Sequence, residues 1–370
     1  MDGAVIMTRV LITGAGGFVG HHFFEHSLVE TDWDVVLTDS FRHKGKTDRI
    51  REVLDNAPKM RPAQEKRWYE RTQVITHDLT VPFSKQAVQA MGEIDYIVAF
   101  ASESHVDRSI SDPVPFIKNN TDVVLTTMEL ARELKPKAVV WVSTDEVYGS
   151  VEADDLIGHP EWDAILPSNP YSASKAAQEA IAISYWRTYG VPLSIVNCMN
   201  MIGERQDAEK YIPMVTAKVF KGEEVTIHGE PGNIGTRHYL HARNLASGIL
   251  FLLQETIPVQ FPAHVQAYEA LHPEFTDQTG QGDRPDRYNI SAPDRINNLT
   301  LAQMIAAAIG KPLKYKLEDF HSTRPGHDPH YGLDPSKLTD LGWSLPIPFA
   351  DSLKRTVEWT LEHPEWLIQD

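Results

Sequence analysis

The chain of 370 residues contains a single cysteine, Cys198. One thiol excludes an internal disulfide framework and any cysteine-rich metal centre, and it fits a reducing compartment, so the cytoplasm is the expected location. Long apolar runs are missing too. The longest, "ILFLL" at Ile249 to Leu253, falls far short of the ~20 residues that cross a bilayer, so no membrane partner is expected. The early apolar piece "RVLITGAGG" lacks the layout of a signal peptide and reads as a first strand. Positive charge is scarce, with 35 basic residues against 51 acidic ones and a net charge of −16. That balance argues against nucleic acid as a partner and leaves room only for a local basic pocket, of the kind a diphosphate needs. The 16 histidines show no paired spacing that calls for a metal.

What the chain does have is alternation. From Arg9 to about Val196, the short runs "VLIT", "VVLT", "QVIT", "DYIVAF", "AVVWVS" and "LSIVN" are separated by stretches of helical length. That order predicts βαβ units and a Rossmann-type, doubly wound parallel sheet covered on both faces. Beyond Asn197 the alternation weakens, with short strands such as "EVTIHG" and "RYNIS" among helices. The expected organisation is therefore α/β, with a dinucleotide-binding domain over 1–196. A smaller mixed α/β substrate lobe covers 197–370, with some segments returning to the first domain. Pro258 to Arg287, rich in Pro, Gln, His and Asp, reads as a surface insertion.

"VLITGAGGFVGHHFFEH" sets Gly14, Gly17 and Gly20 at three-residue intervals between a strand and a helix. The first glycine permits a tight turn, the second lets backbone approach a pyrophosphate, and the third lets helix pack on strand. A glycine turn alone is weak evidence, but "DVVLTDS" follows as a second strand ending in Asp39. An acid at that separation meets the adenosine ribose hydroxyls and repels a 2′-phosphate, which favours NAD over NADP. Asp78, ending the third strand in "THDLT", is a candidate for the adenine edge or simply a polar strand terminus.

"VSTDEVYGS" raises a sharper question, because Asp145 and Glu146 are adjacent acids at the end of a buried strand, where ligands of such a sheet lie. About two dozen residues on, "PYSASK" spaces Tyr171 and Lys175 four apart, on one helix face. A neighbouring ammonium and a positively charged nicotinamide would favour phenolate, making Tyr171 a base toward an alcohol.

These pieces together resemble the extended short-chain dehydrogenase/reductase superfamily. "ASESHVDRS", "STDEVYG", "PYSASKA", "YIPM" and "RPGHD" are similar to the dTDP-glucose 4,6-dehydratase group and its nucleotide-sugar relatives, from Arg9 to about Trp366. The resemblance implies oxidation of the sugar at C4, loss of water across C5 and C6, and return of the hydride to C6. In that scheme Tyr171 is the C4 base, supported by Lys175, and Thr144 binds the C4 oxygen. Asp145 is the acid for the departing water and Glu146 the C5 base. Phe18, Val19, Leu79 and Ala101 would join the glycines, Asp39, Asp78, Tyr171 and Lys175 around NAD. Glu103 and His105 would lie near the sugar, while Asp107 and Arg108 are equally an ion pair within the structure. Asn197 and Arg237 would contact the diphosphate, and Arg324 and His327 would form the nucleotide-side wall. A homodimer through the long helices after "DRSISDP" and "PYSASK" is implied in the same way. Cys198 reads as a small buried residue.

The chain departs from that pattern after the sixth strand, where "NMIGERQDAEKYIPM" replaces a sequence close to "NNYGP". His238 and Asn244 stand where acids are common. These differences bear on the base and sugar recognised. Three alternatives stay open: a 5,6-dehydratase that returns hydride to C4 and leaves an exocyclic alkene, a C4 epimerase, and a non-catalytic NAD-binding regulator. The paired acids speak against the epimerase, and retention of Thr144, Tyr171 and Lys175 against the regulator.

Overall fold

The computed structural model describes residues 7–42, 44–62, 68–152, 154–155, 157–231, 233–256, 284–318 and 330–368. Most of the Pro258 to Arg287 insertion, and both Arg324 and His327, lie outside the described residues.

The first half builds strands β1 (Arg9–Thr13), β2 (Asp34–Asp39), β3 (Thr72–Thr76), β4 (Tyr96–Ala99), β5 (Ala138–Thr144) and β6 (Leu193–Cys198). Helices α1 (Phe18–Glu30), α2 (Thr47–Met60), α3 (Lys85–Met91), α4 (Val106–Ser111), α5 (Pro113–Leu134) and α6 (Pro170–Tyr189) connect them. Consecutive strand residues serve opposite cores. Val10, Ile12, Val35 and Leu37 pack with α1, while Leu11, Val36, Ile97 and Trp141 pack against residues of α5 and α6. Burial on both faces explains why these strands read as continuous apolar runs.

The second half adds β7 (Asn200–Ile202), α7 (Tyr211–Lys221), β8 (Glu224–Glu230), β9 (Asn233–Ile234), β10 (Thr236–His241) and α8 (Ala242–Phe251). After these come β11 (Asp286–Ile290), β12 (Arg295–Asn297), α9 (Asn298–Ile309), β13 (Lys314–Glu318), α10 (Ser336–Asp340) and α11 (Phe349–Glu362). The main sheet has seven parallel strands in the order β11-β6-β5-β4-β1-β2-β3. Its direction of winding reverses between β1 and β4, and the crevice beyond their carboxyl ends is the binding position of such sheets.

"RYNIS", expected in the smaller lobe, instead forms β11 and completes the edge of the main sheet beside β6. Its Tyr288 and Ile290 belong to the first core, as do Leu245 and Ile249 of α8. Leu338 of α10 joins the first core as well, while Val215 and Val219 of α7, Leu301 and Ile305 of α9, and Leu353 and Val357 of α11 meet in a separate core. Two three-stranded sheets, β12-β10-β7 and β13-β8-β9, accompany it.

Candidate active site

The glycine turn leaves no room for side chains. Gly14 has φ +69°, and a Cβ there would stand 2.7 Å from the Ala101 backbone nitrogen. A Cβ at Gly20 would collide with the Gly14 carbonyl oxygen. Such exclusion brings α1 close to β1 and aims the helix N-terminus into the crevice. Asp39 accepts hydrogen bonds from the Gly16 N–H at 2.9 Å and the Phe41 N–H at 2.8 Å. Burial pushes its pKa up, and those two donors oppose the rise. Asp78 is ion-paired with Arg42 and accepts the Thr80 N–H at 3.1 Å.

A cavity of about 410 Å3 runs from this turn to the end of β5. Gly14, Gly17, Phe18, Val19, Gly20, Asp39, Asp78, Leu79 and Ala101 line one part of it, and Glu103, His105, Thr144, Asp145, Glu146, Tyr171 and Lys175 line the other. The closed glycine turn, a buried acid beside it and the length of the cavity fit a dinucleotide.

At its inner end β5 stops in a single 3₁₀ turn, Asp145–Val147. The Thr144 hydroxyl caps that turn, donating to Asp145 Oδ1 at 2.9 Å and accepting the Glu146 N–H at 3.3 Å. Asp145 is 4% exposed, and its Oδ2 has no hydrogen-bond partner among the described residues. Burial first, then the charge of Glu146, push its pKa up to about 7, against opposing contributions from Thr144 and Arg237. Glu146 is half-buried and held from two sides, by Asn169 Nδ2 at 3.3 Å and the Tyr331 hydroxyl at 3.5 Å. Two adjacent acids thus occupy unlike environments.

Asn169 also starts α6. Its side chain accepts the Ser172 N–H while the Ser172 hydroxyl accepts the Asn169 N–H, and Pro170 takes the first helical position. In the first turn, Tyr171 packs edge-on against Phe116, and its hydroxyl bonds with Thr144. Lys175 donates to the Val142 carbonyl at 2.9 Å and to Gln178 Oε1 at 2.8 Å, and burial lowers its pKa to about 8. The expected bias toward phenolate does not come from the chain's own groups. Burial and then the charge of Glu146 push the Tyr171 phenol well above its ordinary range.

Two further expectations change. Asn197 does not open on the cavity: it is fully buried, donating to the Thr144 carbonyl at 2.9 Å and to Glu179 at 3.1 Å. Three residues on, Asn200 does line the cavity. Arg108 faces Glu103 at 3.7 Å, and both line the cavity, so this ion pair is part of the cavity wall. His105 lies 3.7 Å from Glu209. Arg237 stacks 4.4 Å over the Tyr331 ring, half-buried and outside the cavity lining. Cys198 is buried, as expected, and its thiol donates to the Ser143 carbonyl. His238 and Asn244 are interior residues bonded to the carbonyls of Ala292 and Ile347, so these two departures alter packing rather than the cavity wall.

Sequence reasoning overlooked Asn169 and Tyr331. The Asn-Pro pair before "YSASK" was a legible helix start. Nothing local announces Tyr331, which reaches Glu146 from 185 residues away.

A glycine turn at the switch point of a parallel sheet, with a Tyr-x-x-x-Lys face beside a polar strand end, defines a dinucleotide-dependent enzyme of the short-chain dehydrogenase type. The chain belongs to the NAD dependent epimerase/dehydratase family, whose model matches residues 10–262. It is 30% identical to the dTDP-glucose 4,6-dehydratase of Streptomyces niveus, over 97% of this chain and 94% of that protein. It is 29% identical to a trifunctional UDP-glucose 4,6-dehydratase/UDP-4-keto-6-deoxy-D-glucose 3,5-epimerase/UDP-4-keto-L-rhamnose-reductase of Arabidopsis thaliana. That match takes in 97% of this chain, which spans only about half (48%) of the plant protein. Among solved structures, DesIV, the dTDP-glucose 4,6-dehydratase of Streptomyces venezuelae with NAD and TYD bound, superposes with a TM-score of 0.75. The two are 27% identical, with 97% of this chain and 98% of that one covered.

Proposed function

We propose that the protein is an NAD-dependent nucleotide-sugar 4,6-dehydratase. The observation that carries this reading is the pair Asp145 and Glu146 opening on one cavity beside Tyr171, with Asp145 disposed to keep its proton and Glu146 held by two donors. An epimerase has no use for a second acid and base at that position, because it loses no water. The Streptomyces relatives support the same activity.

Held along Gly14, Gly17, Gly20 and Asp39, NAD would supply a positively charged ring that favours Tyr171 phenolate and the hydride exchange that oxidation at C4 and reduction at C6 require. Tyr171 takes the C4 hydroxyl proton, with Thr144 bonded to the phenol oxygen. Once C4 is a ketone the C5 proton is acidic, and Glu146 removes it. Asp145 protonates the C6 hydroxyl, which leaves as water. Glu146 then returns its proton to C5, and a proton moves from Tyr171 to Asp145 to restore the resting state. The sugar loses one water and neither gains nor loses electrons overall.

In this reading 1–196 holds the cofactor and 197–370 the nucleotide sugar. Asn200 and Lys210 supply polar groups on the lobe side that the sealed Asn197 cannot. Arg237 stands outside the cavity lining, but its charge reaches Asp145, so its role toward the diphosphate would need the substrate to draw it in, and the exposed Val114, Ile117, Leu125 and Tyr189 of α5 and α6 support a homodimer through those helices. A lone buried thiol fits the cytoplasm.

The test is the product mass after incubation with NAD and a panel of dTDP-, UDP-, GDP- and CDP-sugars. Loss of one water from one member is expected, with a C6 methyl in the proton NMR spectrum; an exocyclic alkene would replace the 4,6 assignment by the 5,6 one. An unchanged mass throughout would remove dehydration altogether. Glu146→Gln should still oxidise C4 while eliminating water about a hundredfold more slowly.

A further inference from the structure

Arg49 stands in the first turn of α2 with its side chain fully buried. One guanidinium reaches three separate backbone segments. Its Nη1 donates to the Gly16 carbonyl at 3.1 Å, inside the glycine turn, and to the Lys44 carbonyl at 2.8 Å, in the loop after β2. Its Nε and Nη2 donate to the Arg205 carbonyl at 3.2 and 2.8 Å, and Nη2 lies 3.2 Å from Asp207 Oδ1. Those last two residues belong to the segment between β7 and α7, which walls the cavity through Gln206, Asp207, Glu209 and Lys210. Trp366 covers the guanidinium, 5.3 Å from ring centroid to Cζ.

The wall segment is held stiffly. Arg205 has φ +64°, a left-handed conformation rare for such a residue, and its own guanidinium is fixed by Glu25 at 3.0 Å and Glu52 at 3.4 Å. Only a planar fork of five donors serves so many acceptors at once; an ammonium is a compact point charge that cannot bridge them. Arg71 makes an instructive contrast. It is as deeply buried and binds the carbonyls of Leu28, Thr31 and Trp33, all at the end of α1 away from the glycine turn.

We propose that Arg49 is a positioning residue that couples the two halves of the cleft: it ties the substrate-side wall, 203–210, to the glycine turn, so that a nucleoside diphosphate held at the wall slows the escape of NAD. The inference rests on the nucleotide-sugar reading given above. Its physical basis is linkage. Two ligands that each favour the same clamped arrangement stabilise one another reciprocally, typically by ~5- to 150-fold.

The experiment uses the NAD-loaded protein and follows exchange of bound NAD for isotopically labelled NAD, with and without thymidine diphosphate or uridine diphosphate. Binding of each diphosphate is checked by calorimetry. The wild type should exchange about tenfold more slowly with diphosphate bound. Arg49→Lys should exchange faster and show less than about a twofold effect. Arg71→Lys, which loses a comparable carbonyl clamp elsewhere, should lose stability and keep the wild-type slowing; Asp207→Asn, a milder change at the wall, should give an intermediate effect. Slowing that persists undiminished in Arg49→Lys, or is absent from a wild type that binds the diphosphate, overturns the coupling. Should Arg71→Lys lose it equally, Arg49 acts only through stability, and the proposal fails. A wild type that binds neither diphosphate and dehydrates no sugar in the panel defeats the dehydratase reading itself.

Discussion

Two carboxylates in this protein are buried almost equally, and their surroundings do opposite things to them. Asp145, at the end of β5, is 4% exposed, and Glu204, just after β7, is 2% exposed. Around Asp145 the nearest charge is another acid, and the carboxyl keeps its proton up to about pH 7. Burial alone would push Glu204 the same way. There, however, His241, its Nε2 3.2 Å from Glu204 Oε2, and the charge of Arg243 overcome it and hold the carboxyl well below its ordinary range. Arg355 adds a third contact at 2.6 Å. A compensated buried charge fixes structure; one left uncompensated stores a proton for chemistry. In the proposed reading the two clusters divide stability from catalysis between them.

The sharpest way to break that division is at the catalytic end. Tyr171→Phe should lower C4 oxidation by about a thousandfold, roughly 4 kcal/mol, while the melting temperature stays near that of the wild type. Rapid mixing with the sugar that loses water, followed by the absorbance of the reduced dinucleotide, measures it. A large fall in melting temperature with little change in oxidation would place Tyr171 among the structural residues.

The compensated cluster should answer in the reverse sense. Glu204→Gln leaves Arg243, Arg355 and His241 facing a neutral amide and should destabilise the fold by about 3 kcal/mol at neutral pH. Because Glu204 has a depressed folded-state pKa, its contribution is present above the ordinary glutamate range and is lost as pH falls. The gap between the variant and the wild type should therefore narrow in acid. Denaturant unfolding at two pH values measures it, and a gap that widens in acid would reverse the assignment.

That the glycine turn, the strand end and the Tyr-Lys face meet at one cavity was legible in the sequence because these signals are local. Gly14, Gly17 and Gly20 are needed within one turn, Tyr171 and Lys175 share one helix face, and Asp145 with Glu146 ends one strand. The compensated cluster was invisible for the complementary reason. His21, His22 and Glu25 come from α1, Arg205 and Glu204 from the segment after β7, His241 from the end of β10 and Arg243 from the start of α8. The "GHHFFEH" and "GERQ" runs give no sign in isolation that they face each other. Likewise β11 carries the alternation of any short strand, and only its pairing with β6 shows that it belongs to the main sheet. Asn197 is sealed because β6 is an inner strand buried on both faces, where its amide bonds to Thr144 and Glu179, and the polar group on the cleft comes just past that strand, at Asn200 of β7.

The finest test of the comparison is Asp145→Asn, where function and stability should separate within one residue. The folded-state pKa of Asp145 is raised from 3.8 to about 7, so folding favours the protonated acid. Stability from that proton is complete below the unfolded value and is lost progressively as pH rises to about 7, above which the buried charge is a constant penalty. An amide of nearly the same shape never ionises. The variant should therefore match the wild type near pH 4 and exceed it by on the order of 2 kcal/mol at pH 8, even as it loses the acid needed to expel water. Unfolding curves for both proteins across that range would show the gain growing with pH. A variant less stable at pH 8 would mean that Asp145 is compensated after all, by a group that the charge pattern around β5 does not reveal.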